Sequence, residues 1–79
     1  RVSVKDQAER IALRLRNGAK TFSELVLDQP KSVIVASFLA VLELYRQNAV
    51  KITQEQGESM VVELLKIPAI SEQIGDEYE

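Results

Sequence analysis

The stretch KSVIVASFLAVLELYRQNAVKITQ, residues 31–54, decides the fold of this chain. Over residues 33–45 only Ser37 and Glu43 are polar, which predicts a helix with almost no face suited to water. The VKIT sequence near its end alternates apolar and polar residues, which predicts a short half-buried strand. A helix that is apolar on every side needs cover on every side, from its own domain or from another molecule.

Two helices are predicted before this one. Apolar residues recur at helical spacing over residues 5–17, and Gly18 follows where a helix end favours a left-handed residue. Thr21 and Glu24 have the spacing of a capping box, which predicts a short second helix that ends before Pro30.

A turn and a returning strand are predicted after the first strand. The polar sequence QGES at residues 56–59 precedes an apolar segment at 60–65, whose pairing register the sequence leaves open. Three helices followed by a β-hairpin are the pattern of a winged helix, a mainly α, α+β fold in which the hairpin forms the wing. We assign residues 1–67 to this domain and residues 68–79 to an acidic C-terminal tail.

Composition limits the chemistry that this chain can perform. Its 79 residues suffice for one small domain, and a start at Arg1 without an initiator methionine suggests a piece of a longer protein. The chain contains neither cysteine nor histidine, which removes the usual zinc sites, thiolate chemistry and the commonest general base. No apolar run approaches the roughly 18 to 20 residues that span a bilayer. We therefore expect a soluble, cytoplasmic protein with no metal, no cofactor, no small-molecule substrate and no membrane partner.

No set of residues is arranged for catalysis. Asp76 and Glu77 lie in the predicted tail, and Glu55 and Glu58 flank an exposed turn, so nothing would hold two carboxylates at a working separation. Three isolated glycines cannot form a phosphate-binding loop. The sequence predicts a protein that is not an enzyme.

The charge distribution bears on DNA binding. Residues 1–20 carry a net charge of +4 and the remainder −6. A helix that reads DNA needs basic or amide side chains along its length, whereas the third helix has basic residues only at its ends. Sequence-specific DNA recognition is therefore disfavoured. A winged-helix DNA-binding module that uses Arg10, Arg14 and Arg16 remains the alternative.

One side of the third helix carries the candidate binding residues. Val35, Phe38, Leu42 and Tyr45 follow one another at i, i+3, i+7 and i+10 and form what we call the apolar stripe. The opposite side carries residues suited to packing against the other helices. Two interpretations stay open at this point, since the stripe either lies under the hairpin as core or is covered by a protein partner.

Two segments carry a resemblance to a known family. The string FLAVLELYRQNAVKITQEQ at residues 38–56, preceded by TFSELV at residues 21–26, resembles the C-terminal winged-helix domain of bacterial members of the kleisin family. The similarity covers about residues 2–65. It departs from the family in the loop at residues 56–60, where relatives have an acidic residue, a Pro-Phe pair and an acidic-Ile pair.

The resemblance implies a function and partners. It implies a non-enzymatic subunit whose C-terminal domain docks on the ATPase head of a structural maintenance of chromosomes (SMC) protein, with a contact role for Phe38 and Leu42. The longer chain would bridge two SMC heads and meet other condensin subunits (ScpB-like), and it would contact DNA only through the complex. Such a protein is nucleoid-associated and acts in chromosome condensation and segregation.

Overall fold

Residues 2–70 are described by a computed structural model, which confirms the predicted α+β fold of three helices and a hairpin. The elements in chain order are α1 (Val4–Leu15), β1 (Lys20–Thr21), α2 (Phe22–Leu25), α3 (Lys31–Arg46), β2 (Val50–Thr53) and β3 (Val61–Leu64). The arrangement is winged-helix-like. Of the predicted acidic tail, residues 71–79 lie outside the described residues.

Local hydrogen bonds set the ends of α1. Ser3 has an extended backbone, and its side chain accepts a hydrogen bond from the Asp6 backbone N–H at 3.2 Å, so the helix begins at Val4. After the helix, Gly18 takes a φ of +122°, a value that side chains on an L-residue disfavour. The chain thereby turns from α1 into β1.

The predicted capping box at the start of α2 is confirmed. Thr21 Oγ1 accepts from the Glu24 backbone N–H at 3.1 Å, and Glu24 Oε1 accepts from the Thr21 backbone N–H at 2.9 Å. The backbone hydrogen bond from Thr21, reinforced by its hydroxyl, lowers the pKa of Glu24. The backbone N–H groups of Thr21 and Glu24, which have no partner within the helix, are thus both hydrogen-bonded.

The sheet has three antiparallel strands in the order β1-β3-β2, so β3 is central. Lys20 pairs with Val62 on one side of β3, and Ile52 pairs with Val62 on the other. The sequence predicts the β2–β3 hairpin but not β1. Strand β1 is a further element that joins the wing to the connection between α1 and α2.

Helix α3 lies at the centre of the core, as its sequence predicts. It packs across α1, where the fully buried Ala8 and Ala40 allow close approach of the two helices. The core cluster contains these buried residues: Val4, Ala8, Ile11, Leu15, Leu25, Ala36, Ala40, Val41, Leu44, Ala49, Val50 and Val62. Residues from both β2 and β3 belong to this list, so the wing is part of the core.

Candidate protein-binding surface

The apolar stripe on α3 is exposed. The exposed fractions are 52% for Val35, 44% for Phe38, 43% for Leu42 and 56% for Tyr45. Since none of the four residues is buried, the interpretation that the stripe lies under the wing as core is wrong. The partner-binding role of the four residues stays a prediction.

The two polar residues inside α3 point toward the core and not toward solvent. Ser37 is fully buried and Glu43 is 2% exposed. Glu43 accepts hydrogen bonds from Arg46 and, at 3.3 Å, from Gln47 Nε2, so its buried carboxylate is paired with a charged group. Because both polar side chains turn inward, the middle of the outer face of α3 is apolar.

Charged residues stand only at the two ends of this outer face. Lys31 at the start of α3 and Arg46 at its end are exposed. At 1.5 Å of rise per residue they are separated by about 22 Å along the helix axis. The stripe between them forms a contiguous apolar surface of the kind that marks protein interfaces.

Arg10 bonds to α3 through Ser37, a buried residue outside the stripe. Its Nε donates to Gln7 Oε1 at 2.7 Å, Nη1 to the Leu25 carbonyl oxygen at 2.9 Å and Nη2 to Ser37 Oγ at 3.1 Å. Burial, together with the positive charge of Arg14, lowers the pKa of Arg10, although a guanidinium stays charged at any ordinary pH. One side chain thereby ties α1 to α2 and α3.

Phe22 extends the aromatic surface beyond α3. Its ring meets that of Phe38 edge to face, with centroids 6.0 Å apart and planes at 88°. Phe22 is half-buried, and its backbone N–H donates to the Met60 carbonyl oxygen at 2.8 Å, just before β3. Sequence reasoning missed this residue as part of the site. The sequence shows an aromatic residue at the first position of α2. Its contact with Phe38 could not be predicted, because that contact depends on how α2 packs against α3.

An open groove adjoins the start of the stripe. Its volume is about 720 Å³, and it lies between the N-terminal segment and the first turns of α3, where Val2, Val35 and Leu39 line it. Within residues 2–70, no three His, Cys, Asp or Glu side chains are placed to hold a metal ion. Over the same residues, no helix has the length and apolar character needed to cross a lipid bilayer.

The fold and the surface define a small winged-helix-like domain with an exposed apolar helix face. Comparison with known families gives a more specific assignment: the model of segregation and condensation protein ScpA matches residues 1–64, and the chain belongs to this family. The family membership predicted from the sequence is thereby confirmed, and it implies a part in chromosome segregation and condensation. No curated protein matches the chain.

Proposed function

We propose that this chain is the C-terminal winged-helix domain of a kleisin subunit and that it binds the ATPase head of an SMC protein through the apolar stripe. The domain is not an enzyme in this proposal, and it acts in the cytoplasm at the nucleoid. Other parts of a longer chain would contact the second SMC head and a ScpB-like subunit. DNA would be reached only through the assembled complex.

The exposure of Phe38 and Leu42 carries the proposal. Full burial of a large apolar side chain contributes roughly 1.5 to 3 kcal/mol, and the four stripe residues are each about half exposed. A partner that covers them would gain about 3 to 6 kcal/mol from the stripe. Association costs roughly 4 to 15 kcal/mol, so the stripe supplies the central contact and surrounding groups must add to it.

The charged ends of the stripe suggest how the surroundings contribute. Lys31 and Arg46 lie at either end. Between them α3, all of which the structure describes, carries no exposed acidic side chain. A partner surface with an apolar centre and a carboxylate near Lys31 would complement this face, whereas the charge of Arg46 is already paired within the domain. The Glu43–Arg46 pair holds one of the two cations at the rim.

A titration of the domain with the cognate SMC head tests the proposal. Phe38→Arg and Leu42→Arg place a charge in the centre of the stripe and should weaken binding at least tenfold, since an unpaired charge would be desolvated. Leu13→Arg is the matched control, because Leu13 is 61% exposed on α1 and lies outside the stripe. Circular dichroism must first show that each variant is folded.

The outcomes separate cleanly. Loss of binding in both stripe variants with normal binding by the Leu13 variant supports the proposal. Undiminished binding by folded Phe38→Arg and Leu42→Arg proteins would refute it, and so would an equal loss in the control.

The structure weakens the case for the DNA-binding alternative. Arg10 donates hydrogen bonds to the Leu25 carbonyl oxygen and to Ser37 Oγ, and Arg14 Nη1 donates to the Glu24 carbonyl oxygen at 3.2 Å. Some N–H donors of both guanidinium groups are therefore used within the domain. Phosphate contacts would have only the remaining N–H donors of each group. We expect no shift of a DNA duplex in a gel at low salt, and a salt-dependent shift abolished by Arg16→Ala would favour DNA binding.

A further inference from the structure

The exposed ring of Phe38 has a fixed neighbour within the domain. Phe38 is 44% exposed, yet its inner part contacts Phe22 in the edge-to-face geometry that aromatic pairs prefer. The ring therefore has a supported side and a side that faces solvent. Leu42 is exposed to a similar fraction, 43%.

Phe22 is in turn held by its backbone and by its neighbours. It directly follows the capping-box residue Thr21, and its N–H donates to the Met60 carbonyl oxygen at 2.8 Å. The next residue, Ser23, is bonded to Ser59 Oγ through its N–H at 3.1 Å and through its hydroxyl at 3.0 Å. The start of α2 is thus fastened to the segment that enters β3.

These contacts form a continuous path from the wing to the stripe. The residues just before β3 hold the start of α2, α2 places Phe22, and the Phe22 ring supports Phe38. The wing loop itself contains no aromatic residue. The segment that enters β3 is thus connected to the stripe through α2.

We propose that Phe22 is a positioning residue that fixes the Phe38 ring in the orientation a protein partner binds. This inference rests on the proposed function of the stripe. Fixing the ring in the free domain removes part of the ordering cost of association, because an immobilised side chain typically costs a few-fold in affinity. Loss of the support should weaken binding roughly two- to tenfold.

A double-mutant cycle distinguishes positioning from direct contact. The affinity of the SMC head is measured for the wild-type domain, Phe22→Leu, Phe38→Leu and the double variant. We expect Phe22→Leu to weaken binding roughly two- to tenfold when Phe38 is present and to have almost no effect when Phe38 is leucine. Phe22→Tyr keeps an aromatic ring and should restore most of the affinity.

A control variant tests whether a loss of stability alone would weaken binding. Ile70→Ala also removes a partly buried side chain that packs on the core, and it lies in a cavity lined by α1 and β3 without any residue of α3. This variant should lose stability and keep its affinity, with all titrations done well below the melting temperatures. The NMR shifts of the Phe38 ring protons should change in Phe22→Leu and stay near the wild-type values in Phe22→Tyr.

Each result has a defined meaning. Equal losses from Phe22→Leu in both backgrounds would show that Phe22 touches the partner itself, and an unchanged affinity would show that its role is structural only. Either result overturns the inference while leaving the proposed function standing. If the wild-type domain does not bind the head at all, the proposed function fails and the inference with it.

Discussion

Replacement of Arg10 by methionine should destabilise the domain far more than the same change at Arg14. Arg10 joins three helices, since Nη1 donates to the Leu25 carbonyl oxygen at 2.9 Å and Nη2 to Ser37 Oγ at 3.1 Å. Arg14 makes a longer bond of 3.2 Å to the Glu24 carbonyl oxygen on the exposed side. Methionine keeps the apolar stem of either arginine and removes the donors.

The size of the effect follows from what is left behind. The Ser37 side chain is fully buried, so water has poor access to replace the lost donor. A hydrogen bond to a charged group contributes about 1.5 to 3 kcal/mol, and the part-exposed position of the guanidinium favours the lower value. Arg10→Met removes two such bonds to other helices, so we expect a loss of about 2 to 3 kcal/mol in the free energy of unfolding. Arg14→Met removes one exposed bond, and the expected loss is about 1 kcal/mol or less.

Chemical and thermal unfolding followed by far-ultraviolet circular dichroism will measure this difference. A domain of this size has a stability of roughly 4 to 12 kcal/mol, and each kcal/mol shifts its melting temperature by about 4 to 8 °C. Arg10→Met should therefore melt about 10 to 20 °C below the wild type. Equal losses for the two methionine variants would refute the assignment of Arg10 as the connection between the helices.

Three further outcomes are expected from the same unfolding measurements. Leu44→Ala, at a fully buried position, should cost about 2 to 5 kcal/mol, whereas Leu42→Gln on the stripe should cost about 1 kcal/mol or less; a larger loss at Leu42 would mean that it packs within the domain. Gly18→Ala should cost about 1 kcal/mol or more because its φ of +122° strains alanine although the space around it is open, and an unchanged melting temperature would contradict this. The pKa of Glu24 is lowered in the folded state by the Thr21 hydrogen bonds, so the stability from its charge is present above the ordinary pKa of 4.5 and is lost as the pH falls through the folded value. Glu24→Gln should accordingly be less stable than the wild type at neutral pH and converge with it in acid, and a difference that stays constant with pH would argue against the charged cap.

Much of the helical framework was predictable because its signals are local. The apolar pattern of α3 extends over several turns, and the Thr21–Glu24 capping box depends only on residues three apart. Strand β1 was not predictable, since two residues have no periodicity and Lys20 is defined as a strand only by its pairing with Val62. The register of β3 likewise exists only in the folded sheet.

The site was predictable in its members and not in its surroundings. Helical spacing groups Phe38 with Leu42, but their exposure depends on where the wing packs. Polarity alone would place Glu43 in solvent, whereas the structure buries it beside Arg46. The contact between Phe22 and Phe38 requires the relative placement of α2 and α3, which no local pattern contains.

The pairing of Lys20 with Val62 joins an early part of the chain to a late one, which affects when the domain can fold during synthesis. Helices α1 and α3 leave the ribosome before β3, yet Val62 is a fully buried part of their shared core. In the described sheet β1 has β3 as its only neighbour, so β1 cannot pair until β3 has been synthesised. Such long-range closure slows folding compared with local helix packing. A nascent chain therefore cannot complete its core until β3 has emerged, and until then apolar core residues of α1 and α3 lack part of their cover.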